Sequence, residues 1–509
     1  MAKEIYDTPS RTFAEYRLLP NLTTPHHNPD NIDLSTPLCK HAIDEEPRIK
    51  LNIPMTSAVM QAVSGYELAI ALAREGGPSF IYCSQPIENQ ADMIRKVKNY
   101  KAGFVRSDSN AHKEARLEDI LTITEQTGHS TIAVTTDGRN DSPLLGIITD
   151  NDYWPDDDRT TPATQIMTPI SDMVYALEGT TLSEANQLMR RSKKSCIPVV
   201  SDERDMLLRH MVFKKDYLAH KENPLELSDE HKRLMVGAGI NTKDYRERVP
   251  ALIESGVDAL VIDTSDGFST YVKDTLEWVK EQYPEIVIGA GNVVDARGFE
   301  YLRSAGADFI KVGIGGGSIC ITQEQKGIGR GQATAVMRVA KARYDYFCNK
   351  GHYIPLCSDG GLVQDSHITK ALAFNADFVM MGRYFARFKE SPTPIREREG
   401  KRVKPYWGEG SDRARNWERY HTGGKGASLV FEEGVEGYVP YVGTLPENVE
   451  KSLAVIRATF GNLGVQNIDE LHREAILEPA SVASIREGNA HDIMQMPDSM
   501  QKYEKTTWG

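Results

Sequence analysis

Short apolar runs punctuate this chain, each ending in small or polar residues. They are Asn52–Ser57, Phe80–Cys83, Leu234–Ala238, Ala259–Asp263, Ile286–Ala290, Phe309–Gly313, Ile354–Asp359 and Phe378–Gly382. Most are continuous rather than alternating, the pattern of parallel strands covered on both faces. Helix-period segments follow most of them. Ile87, Ala91, Ile94 and Val97 recur after Cys83, and Gln332–Arg343 follows the loop at Cys320. Strands alternating with helices predict an α/β fold. Doubly wound sheets share these local signals, and it is the count of eight strands that favours a (β/α)8 TIM barrel.

The rhythm breaks between Tyr100 and Leu234, where two similar stretches lie. One runs GHSTIAVTTDGRNDSPLLGIITDND from Gly128 to Asp152, the other KKSCIPVVSDERDMLLRHMVFKKD from Lys193 to Asp216. Each reads as strand, polar turn, strand and charged end. Each follows a helix-period stretch, Leu117–Thr127 or Leu182–Ser192. The repeat predicts a pseudo-symmetric module inserted in a barrel loop. The expected organisation is barrel over 1–103, module over 104–220 and barrel again over 221–509.

The stretch Lys389–Gly426 has no clean period, and Arg396 to Lys425 holds nine Lys/Arg against five Asp/Glu. A long, locally basic segment after the last strand predicts a mobile flap, about 389–430, over an anionic ligand.

Composition narrows the field. The net charge of −12 over 509 residues argues against a nucleic-acid binder. No apolar run approaches the ~18 residues of a membrane span. The opening Met1–Asp7 lacks the apolar core of a secretory signal. The expected setting is cytoplasmic. Six cysteines, at 39, 83, 196, 320, 348 and 357, form no C-x-x-C pair, so a zinc site is not expected.

One cysteine stands apart. Cys320 lies in the glycine-rich loop Gly313–Thr322 after the sixth strand, and C-terminal strand ends hold the catalytic groups of barrels. Other strand ends carry Asp263, then Asp359-Gly360-Gly361, then Gly382-Arg383. A carboxylate at a strand tip can accept hydrogen bonds from a ribose diol. Glycine turns after strands seven and eight suit phosphate, with Arg383 as a bidentate donor. Together these predict a nucleoside monophosphate bound beside a nucleophilic thiol.

The chain then resembles the IMP dehydrogenase / GMP reductase family over nearly its whole length. The carrying segments include PMTSAV at Pro54, IDTSDG at Ile262, GAGNV at Gly289 and ADFIKVGIGGGSICIT at Ala307. Further along are CSDGG at Cys357, MGR at Met381, YWGEGS at Tyr406, ERY at Glu418 and EEGV at Glu432. The inserted repeat resembles a tandem CBS (Bateman) module.

The resemblance implies NAD-dependent oxidation of IMP to xanthosine 5′-monophosphate through a thioimidate on Cys320. It implies that Arg419 and Tyr420 activate water with help from Thr322, and that Glu433 relays protons. It places substrate at Ser318, Asp359, Gly360, Gly361, Gly382, Arg383, Tyr406, Trp407, Gly408, Glu409, Gly410 and Glu433. It places NAD at Asp263, Asn292, Gly313, Ile314 and Gly315, and K+ on the carbonyls of Gly315, Gly317 and Cys320. It further implies a homotetramer and an adenine or guanine nucleotide effector at the CBS module. Thr149–Asp152 keeps the Thr-x-x-Asp pattern of such modules, whereas Phe213 replaces the threonine before Asp216. Arg383 and Glu409 depart from the commoner family residues. A GMP reductase, and a catalytically silent adenine-nucleotide sensor, remain the alternatives. The long basic segment with its Arg-Tyr pair, and the insert, weigh against the first.

Overall fold

Each apolar run places a strand in one parallel sheet of the computed structural model, which describes residues 5–100, 107, 109–127, 129–154, 156–214, 223–415 and 433–491. The strands are β1 (Met55–Ser57), β2 (Phe80–Ile81), β3 (Gly237–Ile240), β4 (Ala259–Asp263), β5 (Val287–Val293), β6 (Phe309–Val312), β7 (Leu356–Asp359) and β8 (Phe378–Met381). Strands adjacent in sequence are adjacent in the sheet, and β8 pairs with β1. An isolated parallel bridge between Ser57 and Ser79 joins β1 to the start of β2. The fold is thus α/β, an eight-stranded parallel sheet that meets itself as expected of a (β/α)8 barrel.

Burial explains the continuous apolar runs. Every residue of β5 is buried, as a strand between a packed interior and outer helices must be. Inside the sheet, Phe309 packs on Phe80 and Phe378 with ring centroids 6.0 and 5.7 Å apart. A side chain at Gly289 would run into the Phe309 ring. Large and small residues therefore alternate across the interior.

The third strand sits later than the expected Leu234–Ala238. The Met235 amide donates to the Leu227 carbonyl at 3.0 Å, which takes the start of that run out of the barrel ladder.

Part of the segment after β8 forms regular structure. Arg396–Arg398, Lys401–Trp407 and Glu436–Pro440 form a three-stranded antiparallel sheet. Lys404 hid this arm in the sequence. Its charge breaks the alternation, yet it is fully buried, its Nζ 2.5 Å from the Phe388 carbonyl and 3.0 Å from that of Ser391. Residues 416–432 of the expected flap lie outside the described ones.

The chain divides into two compact units. One is Met1–Val97, Leu225–Leu227 and Met235–Gly509; the other is Lys98–Pro224 and Ser228–Leu234. The second unit holds two similar halves. Asn110–His112, Leu117–Thr127, Thr131–Thr135 and Leu144–Thr149 run strand, helix, strand, strand, and Ala176–Leu177, Leu182–Ser192, Cys196–Val200 and Leu208–Phe213 repeat the order. The ladders shift register at matching places, Val134/Thr135 and Val199/Val200. Asp216 lies outside the described residues. Among the described residues, no helix is long and apolar enough to cross a membrane.

Candidate functional site

Three charged groups meet at the C-terminal ends of the central strands. Lys311, within the apolar stretch of β6, is only 1% exposed. Its Nζ lies 2.7 Å from an Asp263 oxygen and 2.5 Å from an Asp359 oxygen. Burial works against the ammonium, but the two carboxylates outweigh it and hold the charge. Sequence reasoning gave Lys311 no part; the available signal was a lysine inside Phe309–Val312. Asn292 joins the group, its Nδ2 donating to the Gly313 carbonyl at 2.5 Å and to Asp359 at 2.9 Å. Its Oδ1 is buried without a partner.

The loop after β6 carries Cys320. The Cys320 amide donates to the Gly317 carbonyl at 3.1 Å, folding the loop on itself. The Sγ lies 3.2 Å from Thr322 Oγ1, and that hydroxyl donates to Glu433 at 3.3 Å. A hydroxyl has one proton to give, so with it directed at Glu433 the thiol donates to Thr322. The result is a proton route from Sγ to a carboxylate. Lys326 Nζ holds the other Glu433 oxygen at 2.6 Å. Backbone bonds pin the loop from the same side, Ile321 to the Glu433 carbonyl and Val435 to the Ile319 carbonyl, each 3.0 Å.

The same cleft offers a surface suited to an anion. The Gly361 amide donates to the Gly316 carbonyl at 2.9 Å, locking the turn after β7 against the Cys320 loop. Arg383 opens the short helix Arg383–Ala386 after β8. Burial draws its guanidinium below the ordinary value, with Tyr406 acting the other way; it remains a cation. Burial pushes the Tyr406 hydroxyl up against Ser318 and Arg383, so it stays a protonated donor. Behind them, burial and then Arg383 pull Arg387 down to about 10.

One cleft gathers most of the expected residues. Asp263, Gly317, Ser318, Cys320, Thr322, Asp359, Gly360, Gly361, Gly382, Arg383, Tyr406, Gly408, Glu409, Gly410 and Glu433 all line it. Asn292, Gly313, Ile314 and Gly315 are not among its lining residues. Trp407 turns to a neighbouring hollow, where its Nε1 donates to Gln61 at 3.1 Å and Arg413 sits 3.9 Å over its ring. Gln61, which sequence reasoning passed over, also gives its backbone N–H to Glu409 at 2.6 Å. Arg419 and Tyr420 lie outside the described residues. Among the described residues, no cluster of three or more His, Cys, Asp or Glu side chains is placed to hold a metal.

Known proteins bear on this site. A family model described as the IMP dehydrogenase / GMP reductase domain matches residues 10–491. An inosine-5′-monophosphate dehydrogenase from Tritrichomonas foetus is 54% identical over 97% of this chain and 98% of its own length. One from Aquifex aeolicus is 37% identical over 91% and 92%. Among solved structures, a cysteine-to-alanine variant of GMP reductase from Trypanosoma brucei, in complex with guanosine 5′-monophosphate, superposes with a TM-score of 0.84. It is 28% identical and covers 96% of this chain and 98% of that one.

Proposed function

Because the chain belongs to the IMP dehydrogenase / GMP reductase family, we propose that it oxidises IMP to xanthosine 5′-monophosphate with NAD+, for guanine nucleotide synthesis, through a covalent bond to Cys320. The observation that carries the reading is the Cys320–Thr322–Glu433 chain, which lines one cleft together with a turn and an arginine suited to phosphate.

Gly360, Gly361, Gly382, Arg383, Ser318 and Tyr406 bind the phosphate, and Asp359 takes the ribose hydroxyls. Glu409 and Gly410 meet the base edge. Trp407 serves from behind by holding Gln61. Thr322 and Glu433 draw the proton from Cys320, and the thiolate adds to C2 of the base. NAD+, when bound, would supply the acceptor for the hydride at C2. Asp263 and the loop Gly313–Gly315 would hold it, with Asn292 tied to that loop through the Gly313 carbonyl. Water then cleaves the thioimidate, giving product and free thiol. Arg419 and Tyr420 activate that water, with Glu433 as the proton relay.

The carbonyls of Gly315, Gly317 and Cys320 are proposed to hold K+. Gly317 keeps a second lone pair beside its bond to Cys320, and hard cations choose oxygen. The second unit is proposed to be a tandem CBS module, 104–220, taking an adenine or guanine nucleotide at Thr149–Asp152. The assembly is proposed to be a cytoplasmic homotetramer.

The test mixes the protein with IMP, NAD+ and K+ and follows NADH. Steady formation is expected, and Cys320→Ala abolishes it while retaining IMP binding by calorimetry. No NADH, with NADPH consumed in the presence of GMP instead, would establish the reductase. Turnover by Cys320→Ala would remove the covalent step.

A further inference from the structure

The helix Gln332–Lys350 starts behind the Cys320 loop, and its first side chain reaches under the site. Gln332 is 3% exposed. Its Nε2 donates to the Val312 carbonyl at 2.8 Å and to Ser358 Oγ at 3.1 Å. Val312 ends the strand that leads into the Cys320 loop. Ser358 precedes Asp359 and the Gly360–Gly361 turn. One amide therefore bonds to both strands where they leave the barrel.

Packing repeats the pattern. A Cβ on Gly313 would lie 2.6 Å from Gln332 Oε1 and 2.8 Å from Nε2. A Cβ on Gly361 would lie 2.9 Å from Gln332 Cβ. Both turns rest on this side chain, and the Gly361–Gly316 hydrogen bond ties them together. The helix start is itself fixed by the N-terminal arm. The Arg11 amide donates to Thr334 Oγ1 at 2.8 Å, and the Gly331 amide to Ser10 Oγ at 3.2 Å.

The choice of glutamine is informative. Its Oε1 is buried without a partner. An apolar side chain of the same shape would avoid that cost. What glutamine supplies is the pair of N–H bonds.

We propose that Gln332 is a positioning residue that couples the Cys320 loop to the Gly360–Gly361 turn, so that phosphate binding and thiol placement depend on each other. This rests on the reading of those two segments as nucleophile and phosphate site. Gln332 is not among the residues that line the cleft.

The full chain is compared with Gln332→Met, which keeps the shape and removes the donors. NADH formation is measured against IMP concentration, iodoacetamide alkylation of Cys320 with and without IMP, and thermal unfolding alongside. Losing two neutral hydrogen bonds should raise the KM for IMP about tenfold and shift the IMP needed to protect Cys320 by about the same factor. Unchanged KM and protection would overturn the proposal, including when the melting temperature alone falls, because that is a merely structural role. If Gln332→Met does not fold, the isosteric Gln332→Glu replaces it. The same rise is expected, and an unchanged KM overturns the proposal again. Failure of the functional reading looks different: the unsubstituted protein itself then makes no NADH.

Discussion

Lys311 shows how much at this site depends on one residue. It is fully buried between Asp263 and Asp359, the carboxylates assigned to the two nucleotides. Removing one partner from a buried ionic group leaves uncompensated charge and costs about 3–5 kcal/mol. Lys311→Met should therefore lower stability by that order in chemical denaturation. It should also raise the KM for IMP and for NAD+ together, because both carboxylates lose their anchor. A rise in only one KM would show that Lys311 holds only that side. The candidate site was legible where loops advertise it. Cys320, Asp359 and Arg383 sit at strand ends among glycines, and the cleft gathers all three. Lys311 and Gln332 were not legible, because their roles come from strands and a helix start that meet only in the folded barrel.

Among elements, the turn after β7 carries its own pH sensitivity. His367, in the helix Asp365–Ala373, is 2% exposed, and its Nδ1 accepts the Val363 amide at 3.3 Å. Burial first, then Lys370 and Arg17, pull it from 6.5 down to about 4, against a bond to the Gly361 backbone. A protonated ring would turn Nδ1–H against the Val363 N–H and loosen the Gly360–Val363 turn. The unfolded chain binds this proton more readily, so His367 makes stability fall as pH drops from about 6.5 towards 4, by roughly 3 kcal/mol in all. Denaturation of the protein and of His367→Leu at pH 7 and pH 4.5 checks this. The variant should lose a smaller share of its stability on acidification; an equal loss would contradict it. Elements were legible where burial imposes a continuous apolar run, as in β4 and β5. They were not where a charge is buried on carbonyls, as Lys404 is in the Lys401–Trp407 strand.

At the scale of the whole molecule, the repeat between Gly128 and Asp216 made the inserted module legible, because two similar stretches interrupt a barrel rhythm. Its boundaries were less so. The second unit starts at Lys98 and also claims Ser228–Leu234, which the sequence pattern assigned to the barrel part 221–509. Every residue lining the cleft belongs to the first unit. The eight strands and the Ser57–Ser79 bridge also lie there, so the barrel needs nothing from 105–220 for its own ladder. Replacing 105–220 by a flexible glycine-serine linker should therefore leave kcat and the KM for IMP within about threefold, a change under 1 kcal/mol in transition-state binding. Any response of the intact protein to an adenine or guanine nucleotide should vanish in the shortened chain. The two readouts separate the roles. A collapse of kcat with a folded barrel, shown by a cooperative thermal unfolding transition, would mean the module supplies something the cleft itself lacks. A nucleotide response that survives excision would place the effector on the barrel instead.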